Sequence, residues 1–155
     1  MLTAVALPWS ALPLRLIEHH RLAGLAYDRG GERELQFHLA AAVPRLPVRH
    51  EGQLGVACWG CRRGESRALP VGGWTRRATV ESGYWSQCGA EAVDVPAALA
   101  LDGGVWYAVR QGLRGVLVRD EAGAERVYLV CEPASHYYRM MTRSDWMPVL
   151  IDERI

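Results

Sequence analysis

Short apolar segments joined by turns of three to five residues are the feature of this sequence that most limits its fold. Residues 34–39 alternate between polar and apolar side chains, which is the pattern of a half-buried strand. Residues 45–49 and 53–59 alternate in the same way, and the polar turn at residues 50–52 between them predicts a hairpin. Strands joined so closely pair as antiparallel neighbours, so the sequence favours a mostly antiparallel sheet.

Two more hairpins are predicted in the second half of the chain. Each consists of a strand, a turn and a second strand: residues 97–101, 102–104 and 105–110 in the first, and residues 116–119, 120–124 and 126–132 in the second. Residues 147–151 predict one further apolar strand. With this many short strands in succession, we expect the sheet to curve into a barrel-like form.

Two short helices are predicted beside the strands. The apolar residues in the range 14–25 recur at helical spacing, so we expect a single amphipathic helix there, ending before the glycine pair at 30–31. Residues 135–142 predict a second, shorter helix. A chain of 155 residues without a linker or a repeat fits one domain. Residues 1–155 are therefore expected to form a single α+β domain with a mostly antiparallel, barrel-like sheet and one or two helices.

The amino-acid composition is that of a globular protein, with 50% hydrophobic and 23% charged residues. All 18 basic residues are arginine, whose planar guanidinium suits carboxylate and phosphate groups, although a GC-rich genome produces the same bias. The net charge of +1 argues neither for nor against a nucleic-acid partner. The chain contains no asparagine, so no site in it can depend on an asparagine side chain.

The sequence also predicts where the protein resides. Residues 1–12 lack the basic and apolar regions of a secretory signal. The longest apolar run, residues 95–101, contains a proline and is too short to cross a membrane. We therefore expect a cytoplasmic protein without membrane contact, whose four cysteines stay reduced. No motif indicates a cofactor, and none is expected.

Four segments of the chain together resemble a known family. They are residues 37–48 (FHLAAAVPRLPV), residues 53–60 (QLGVACWG), residues 76–85 (RRATVESGYW) and residues 127–150, which end in SDWMPVL. Their order and approximate spacing are similar to those of the SRAP domain, the SOS-response-associated peptidase family that captures abasic sites in DNA. The resemblance covers roughly residues 37–151. It implies an SRAP-like fold and a channel for single-stranded DNA.

The positions that carry the chemistry of that family are replaced here. The family begins Met-Cys, and its cysteine captures the aldehyde of the abasic site, whereas this chain has Leu2. Ser86 stands where the family has a glutamate, and Ser144 stands where it has a histidine, ahead of the matching Asp145. The resemblance therefore implies a pocket formed by the N-terminal residues, Ser86 and Ser144 that has lost its reactive groups. His136 could substitute for the lost acid-base residue, although a structural histidine is the favoured interpretation.

Arginine and aromatic residues near these segments are the best candidates for a binding surface. Arginine can hold phosphates, and aromatic rings can stack on unpaired bases. We therefore predict contacts with single-stranded DNA from Trp59, Arg62, Arg63, Arg76, Arg77, Trp85 and Asp145. The alternative interpretation is that the arginines are solvated at strand ends and that the tryptophans belong to the core.

The pair Cys58 and Cys61 is half of a zinc knuckle. A closed zinc site needs four ligands, and the remaining candidates are Cys88, Cys131, His50 and His136. No second CxxC pair exists in the chain, so two ordinary thiols are favoured and no metal site is predicted.

Three hypotheses about function follow from these observations. The first is a catalytically degenerate SRAP-like protein of phage or mobile-element origin that binds single-stranded or abasic-site DNA. The second is an interaction domain without a nucleic-acid role, which uses an exposed aromatic surface around Trp74 or Trp85. The third is an active enzyme with relocated chemistry at Cys58, Cys61 or His136. The oligomeric state stays open at this point.

Overall fold

The computed structural model describes all 155 residues, which form twelve strands, four α-helices and two 3-10 segments. The strands are β1 (Leu2–Pro8), β2 (Ala26–Arg29), β3 (Glu32–His38), β4 (Arg45–His50), β5 (Gln53–Trp59), β6 (Trp74–Arg76), β7 (Glu91–Val95), β8 (Leu99–Asp102), β9 (Val105–Ala108), β10 (Leu113–Arg119), β11 (Glu125–Pro133) and β12 (Trp146–Pro148). The helices are α1 (Leu14–His19), α2 (Arg77–Glu81), α3 (Tyr84–Gln87) and α4 (His136–Thr142), and the 3-10 segments are Trp9–Ala11 and Leu22–Leu25.

Five strands form an antiparallel sheet in the order β2-β3-β1-β8-β9. The central strand is β1, in which Val5 lies opposite Phe37 of β3 on one side and Ala100 of β8 on the other. All residues from Ala4 to Leu7 are buried, on both faces of the strand. A strand that packs on both faces reads as a continuous apolar run rather than as an alternating one.

Five other strands close into a small barrel in the order β10-β7-β4-β5-β11, because β10 also pairs with β11. Every pair in this ring is antiparallel except β5–β11. Gly115 of β10 keeps the interior narrow, since a Cβ there would lie 3.1 Å from the side chain of Val127 and 3.4 Å from that of Val93. Strands β6 and β12 extend the barrel wall along β11. The predicted α+β fold with a mostly antiparallel, barrel-like sheet is confirmed.

One continuous hydrophobic core joins the barrel to the five-stranded sheet. It includes Leu46 and Leu129 from the barrel and Val5 and Phe37 from the sheet. A second, smaller cluster lies on the outside of the barrel, where the side chain of Trp85 on α3 packs against residues of β10 and β11. Packing against this shared core therefore stabilises both the barrel and the five-stranded sheet.

The single helix predicted for residues 14–25 is wrong. Helix α1 ends at His19, and Arg21 adopts a left-handed conformation with φ 53° before the 3-10 segment begins. The guanidinium of Arg45 donates to the carbonyl oxygen of His20. A left-handed residue breaks the helical hydrogen-bond ladder, so the chain turns and inserts Leu22 into the core.

The three predicted hairpins and the second helix are confirmed. The pairs His50↔Gln53, Asp102↔Val105 and Arg119↔Glu125 flank the three turns. Helix α4 begins after Ser135, whose hydroxyl accepts a hydrogen bond from the backbone N–H of Tyr138. No helix in the structure has the length and apolar content that a membrane crossing requires.

Candidate functional site

A buried carboxylate lies where the two sheets meet α4. The side chain of Asp102 is 1% exposed. Its Oδ1 accepts a hydrogen bond of 2.6 Å from the hydroxyl of Ser144, and its Oδ2 accepts one of 2.7 Å from the hydroxyl of Tyr138. The α-amino group of Met1 lies 3.2 Å from Oδ1 and donates to Ser144 Oγ at 3.0 Å. We call this group, formed by the α-amino group of Met1, Asp102, Tyr138 and Ser144, the amine pocket.

Backbone geometry brings these groups together. Leu2 pairs with Asp102 across β1 and β8, which places the α-amino group of Met1 beside the carboxylate. The next residue, Gly103, has φ 57°, and a Cβ on it would lie 2.0 Å from the carbonyl oxygen of Thr142. Only glycine allows the hairpin to approach the end of α4 this closely.

A second layer of hydrogen bonds fixes the donors. Tyr138 donates to Asp102, so Tyr107 must donate to the hydroxyl of Tyr138, at 2.9 Å. Burial raises the pKa of both tyrosines well above the ordinary range, and for Tyr138 the neighbouring Tyr107 and Asp102 add to this shift. Both hydroxyls therefore remain protonated donors near neutral pH and cannot act as bases.

Arginine, aspartate and tryptophan side chains lie on and beside the segment that carries Ser144. Arg143 is exposed and directly precedes Ser144, and Arg139 forms an ion pair of 3.2 Å with Asp145. The guanidinium of Arg76 lies 4.5 Å from the ring centroid of Trp146. These five residues, Arg76, Arg139, Arg143, Asp145 and Trp146, are called the rim.

Of the positions that the resemblance predicted to form a pocket, two meet and one does not. The N terminus and Ser144 are in contact. Ser86 is exposed on α3, where its hydroxyl donates to the carbonyl oxygen of Gly83 at 3.0 Å. His136 is exposed at the start of α4 and takes no part in the hydrogen bonds of the amine pocket. The expectation that Ser86 belongs to this group is therefore wrong.

Two aromatic residues predicted to contact DNA are part of the core. Trp59 is 2% exposed and Trp85 is 3% exposed. The Nε1 of Trp59 donates to the carbonyl oxygen of Gly73 at 3.1 Å, and that of Trp85 donates to Thr75 Oγ1 at 2.7 Å. Rings held in this way cannot stack on a base, so the predicted role of Trp59 and Trp85 is wrong and the core interpretation applies.

The four predicted arginines do not share one surface. Arg62 donates to the carbonyl oxygens of Ala41 and Ala42 and lines a cavity with Arg126 at the start of β11. In the sheet, Arg76 of β6 lies opposite Cys131 of β11. Cys131 is five residues beyond Arg126 on the same strand, a distance of about 17 Å. Of these arginines, Arg76 therefore lies at the rim, and Arg62 and the adjacent Arg63 lie elsewhere.

The remaining predicted arginine, Arg77, lines a groove over β7, β10 and α2 with a volume of about 430 Å³. It is paired with Glu81 at 3.1 Å and with Glu132 at 2.9 Å. Arg114 in the same groove is paired with Asp94 at 2.9 Å. The lining of the groove balances three arginines against three carboxylates, so it has no net positive charge to attract an anion: Arg49, Arg77, Arg114, Glu51, Glu81 and Asp94.

The cysteine pair does not form a knuckle. Strand β5 ends at Trp59, and Cys61 is buried beside the bridge that it forms with Gly72. Burial raises the pKa of the Cys61 thiol, and it also raises that of Cys131. Neither thiol is activated as a nucleophile, so the structure offers no support for relocated chemistry at Cys61.

No family model matches this chain, and no curated protein or solved structure matches it either. What the amine pocket can do therefore has to follow from the chemistry of its own residues.

Proposed function

We propose that the protein is a catalytically degenerate SRAP-like domain that binds single-stranded DNA at the rim of the amine pocket. The observation that carries this proposal is the contact of 3.0 Å between the α-amino group of Met1 and Ser144 Oγ. It joins the start of β1 to the segment before Met147, which is two of the three regions that the sequence resemblance brings together, the third being that of Ser86.

The charge of the rim supports a polyanionic ligand. Arg76, Arg139 and Arg143 contribute three positive charges, against the single exposed carboxylate of Asp145, while the charge of the α-amino group is balanced by Asp102. The side chain of Asp145 is 81% exposed, so its ion pair with Arg139 is weak and can be exchanged for a phosphate. Phosphate contacts from arginine supply most of the affinity of proteins for single strands.

Trp146 supplies the aromatic surface that Trp59 and Trp85 do not. It is partly exposed, and one face of its ring carries the guanidinium of Arg76. An unpaired base can stack on such a ring, and an arginine beside it adds a cationic contact. Trp146, in the final motif SDWMPVL, is therefore the residue that we propose stacks on a base, in place of Trp59 and Trp85.

The family's own reaction is not expected here. Leu2 has no thiol and is buried, and Ser144 has a hydroxyl that does not titrate near neutrality. Asp102 is engaged by three donors, so its carboxylate holds the pocket together. Binding rather than turnover is the function that this arrangement favours.

Fluorescence anisotropy with a labelled single strand, measured over a salt series, tests the proposal. We expect the Arg139→Gln/Arg143→Gln double variant to bind more weakly and to reduce the slope of log K against log salt by about 1.4, from two lost phosphate contacts. Arg62→Gln/Arg63→Gln is the matched control, because it removes the same charge away from the rim. Absent binding at micromolar protein, or an equal loss in the control, would overturn the proposal.

A second candidate function, capture of an aldehyde by the α-amino group of Met1, is favoured by one observation. Met1 is 43% exposed, and its α-amino group is held on a buried carboxylate. The ammonium would first pass a proton to the carboxylate of Asp102, and the free amine would attack the carbonyl carbon to give a carbinolamine. The carboxylic acid would then return its proton to the carbinolamine hydroxyl, which leaves as water and gives the protonated imine.

Borohydride trapping on abasic-site DNA, followed by peptide mass spectrometry, tests aldehyde capture. We expect a reduced adduct on the peptide that contains Met1, and we expect acetylation of the α-amino group to abolish it. An adduct on another peptide, or no adduct from protein that binds the same DNA, would overturn aldehyde capture. The proposal of DNA binding would be unaffected by that result.

A further inference from the structure

Three metal-ligating side chains meet where the β4–β5 turn lies beside the start of β7. They are His50, Glu51 and Glu91, and their ligand atoms all lie within 4.8 Å of one another. His50 is partly buried and the two glutamates are exposed. We propose that this group binds a divalent transition-metal ion of the zinc class, independently of any nucleic acid.

The barrel backbone holds the three positions. His50 ends β4, and Glu51 follows it in the two-residue turn with φ 51°. Glu91 begins β7, which is antiparallel to β4 and also pairs with Leu117 of β10. The imidazole Nε2 of His50 already contacts a carboxylate oxygen of Glu91. Two of the ligands are therefore in contact before any ion arrives.

A fourth donor lines the same cavity, which has a volume of about 380 Å³. Cys88 is a free, exposed cysteine in this cavity, and its thiol donates to the carbonyl oxygen of Tyr84 at 3.8 Å. It lies outside the group of three and has to turn toward them to coordinate the same ion. The charged groups facing it from β10 and β11 are Arg119 and Glu125, which form an ion pair of 3.5 Å with each other. With that pair neutral overall, Glu51 and Glu91 give the cavity a negative potential that suits a cation.

The donor set selects the kind of metal. An imidazole nitrogen, two carboxylate oxygens and a thiolate sulfur are typical ligands of Zn²⁺ and a poor set for Mg²⁺, which prefers oxygen alone. Ligands at about 2.1 Å from Zn²⁺ in a tetrahedron are roughly 3.4 Å apart. The imidazole Nε2 of His50 and the carboxylate oxygen of Glu91, which are in direct contact, therefore have to separate to admit the ion, and ligand atoms that lie further apart have to move closer. Rotation of the two exposed glutamate side chains is sufficient for this movement. On binding, the imidazole coordinates as the neutral base and the thiol as the thiolate, so their protons go to solvent.

Isothermal titration with Zn²⁺, in the absence of DNA, tests the site. We expect one ion per chain, and at least a tenfold weaker affinity in His50→Ala and in Glu91→Gln. Glu51→Gln provides a further variant on the turn, should either of the others fold poorly. Mg²⁺ at the same concentration is expected to give no heat of binding.

Two matched controls locate the ion. His136→Ala removes an exposed histidine outside the cavity, and Cys58→Ser/Cys61→Ser removes the only CxxC pair. Both are expected to bind Zn²⁺ as the original chain does. Failure to bind, unchanged affinity in His50→Ala and Glu91→Gln, or loss only in the cysteine control would overturn the site.

Co²⁺ as a spectroscopic probe decides the role of Cys88. A thiolate ligand gives a sulfur-to-cobalt charge-transfer band, which we expect in the original chain and expect to disappear in Cys88→Ser. A Co²⁺ spectrum that Cys88→Ser leaves unchanged would exclude the thiol and reduce the site to its three other ligands.

Discussion

The amine pocket and the His50–Glu51–Glu91 cluster hold similar charged groups in opposite environments. In the pocket, the carboxylate of Asp102 is buried and has three donors. In the cluster, the side chain of Glu91 is 57% exposed and its recorded partner is His50. A buried charge with a complete set of partners is costly to disturb, whereas an exposed charge can change partners at little cost. We therefore expect the pocket to contribute to stability and the cluster to be free for a ligand.

The largest expected effect comes from the buried carboxylate. Asp102→Ala leaves the hydroxyls of Tyr138 and Ser144 without their acceptor and the α-amino group of Met1 without its counter-ion, so we expect it to lower the free energy of unfolding by about 3–5 kcal/mol. Urea denaturation measures this change. A loss under about 1 kcal/mol would show that the pocket is not a stabilising element and would remove the contrast with the cluster.

The next effect concerns the close approach of the hairpin to α4. Gly103→Ala places a Cβ 2.0 Å from the carbonyl oxygen of Thr142, so we expect a loss of roughly 2–4 kcal/mol from steric overlap and left-handed strain. Gly104→Ala is the matched control, because φ is 78° there and nothing lies within 4 Å of the added Cβ. The control should lose only about 1 kcal/mol. Equal losses in the two variants would contradict the close packing at Gly103.

Alkaline pH should weaken the pocket before it affects the cluster. The pKa values of Tyr107 and Tyr138 are raised in the folded state, chiefly by burial. The unfolded chain then binds fewer protons than the folded chain above about pH 10, so stability falls as the pH rises through that value. Tyrosinate absorbance, recorded beside a fold-sensitive signal, checks this. Ionisation of all six tyrosines without unfolding would contradict it.

Removing the outer hydroxyl of the network should have a moderate effect. Tyr107→Phe deletes the hydrogen bond of 2.9 Å to Tyr138 and leaves the ring in place, so we expect a loss of about 1 kcal/mol. Thermal unfolding followed by circular dichroism measures it. Tyr137→Phe, which changes an exposed neighbour on α4, should leave the midpoint unchanged. A midpoint shift shared by both variants would point to α4 itself rather than to the network.

The smallest expected effect belongs to the cluster. Glu91→Gln breaks an exposed ion pair, so the free energy of unfolding should change by no more than about 0.5 kcal/mol without metal. Denaturation with and without Zn²⁺ measures it, and added Zn²⁺ should stabilise the original chain more than the variant. A variant as unstable as Asp102→Ala would erase the difference between the two regions.

The strands and hairpins could be predicted from the sequence because their signals are local. The turn at Glu51-Gly52 lies between two segments with clear alternation, and strand β5 was predicted with its observed bounds of Gln53–Trp59. Strand β1 was missed because it packs on both faces and does not alternate. Helices α2 and α3 have five and four residues, which is too short for a helical period to show.

The amine pocket could be predicted only in part, because its members are far apart in the chain. The resemblance indicated the N terminus and Ser144, but Asp102 was interpreted only as a turn residue, which is a common role for aspartate. No pattern in the sequence around Tyr107 or Tyr138 indicates that the two hydroxyls form a hydrogen bond. Burial decided the outcome for Trp59 and Trp85, and the alternative that placed them in the core was already available from the sequence.

The position of β1 at the centre of its sheet has a consequence for how the chain acquires its structure. Strand β1 pairs with both β3 and β8, and β8 begins about ninety residues after β1 ends. A pairing over that distance closes a long loop, so this half of the sheet should form slowly. During synthesis, one edge of β1 stays open to other chains until β8 has emerged from the ribosome. Slowing translation between β3 and β8 should therefore lower the yield of native protein.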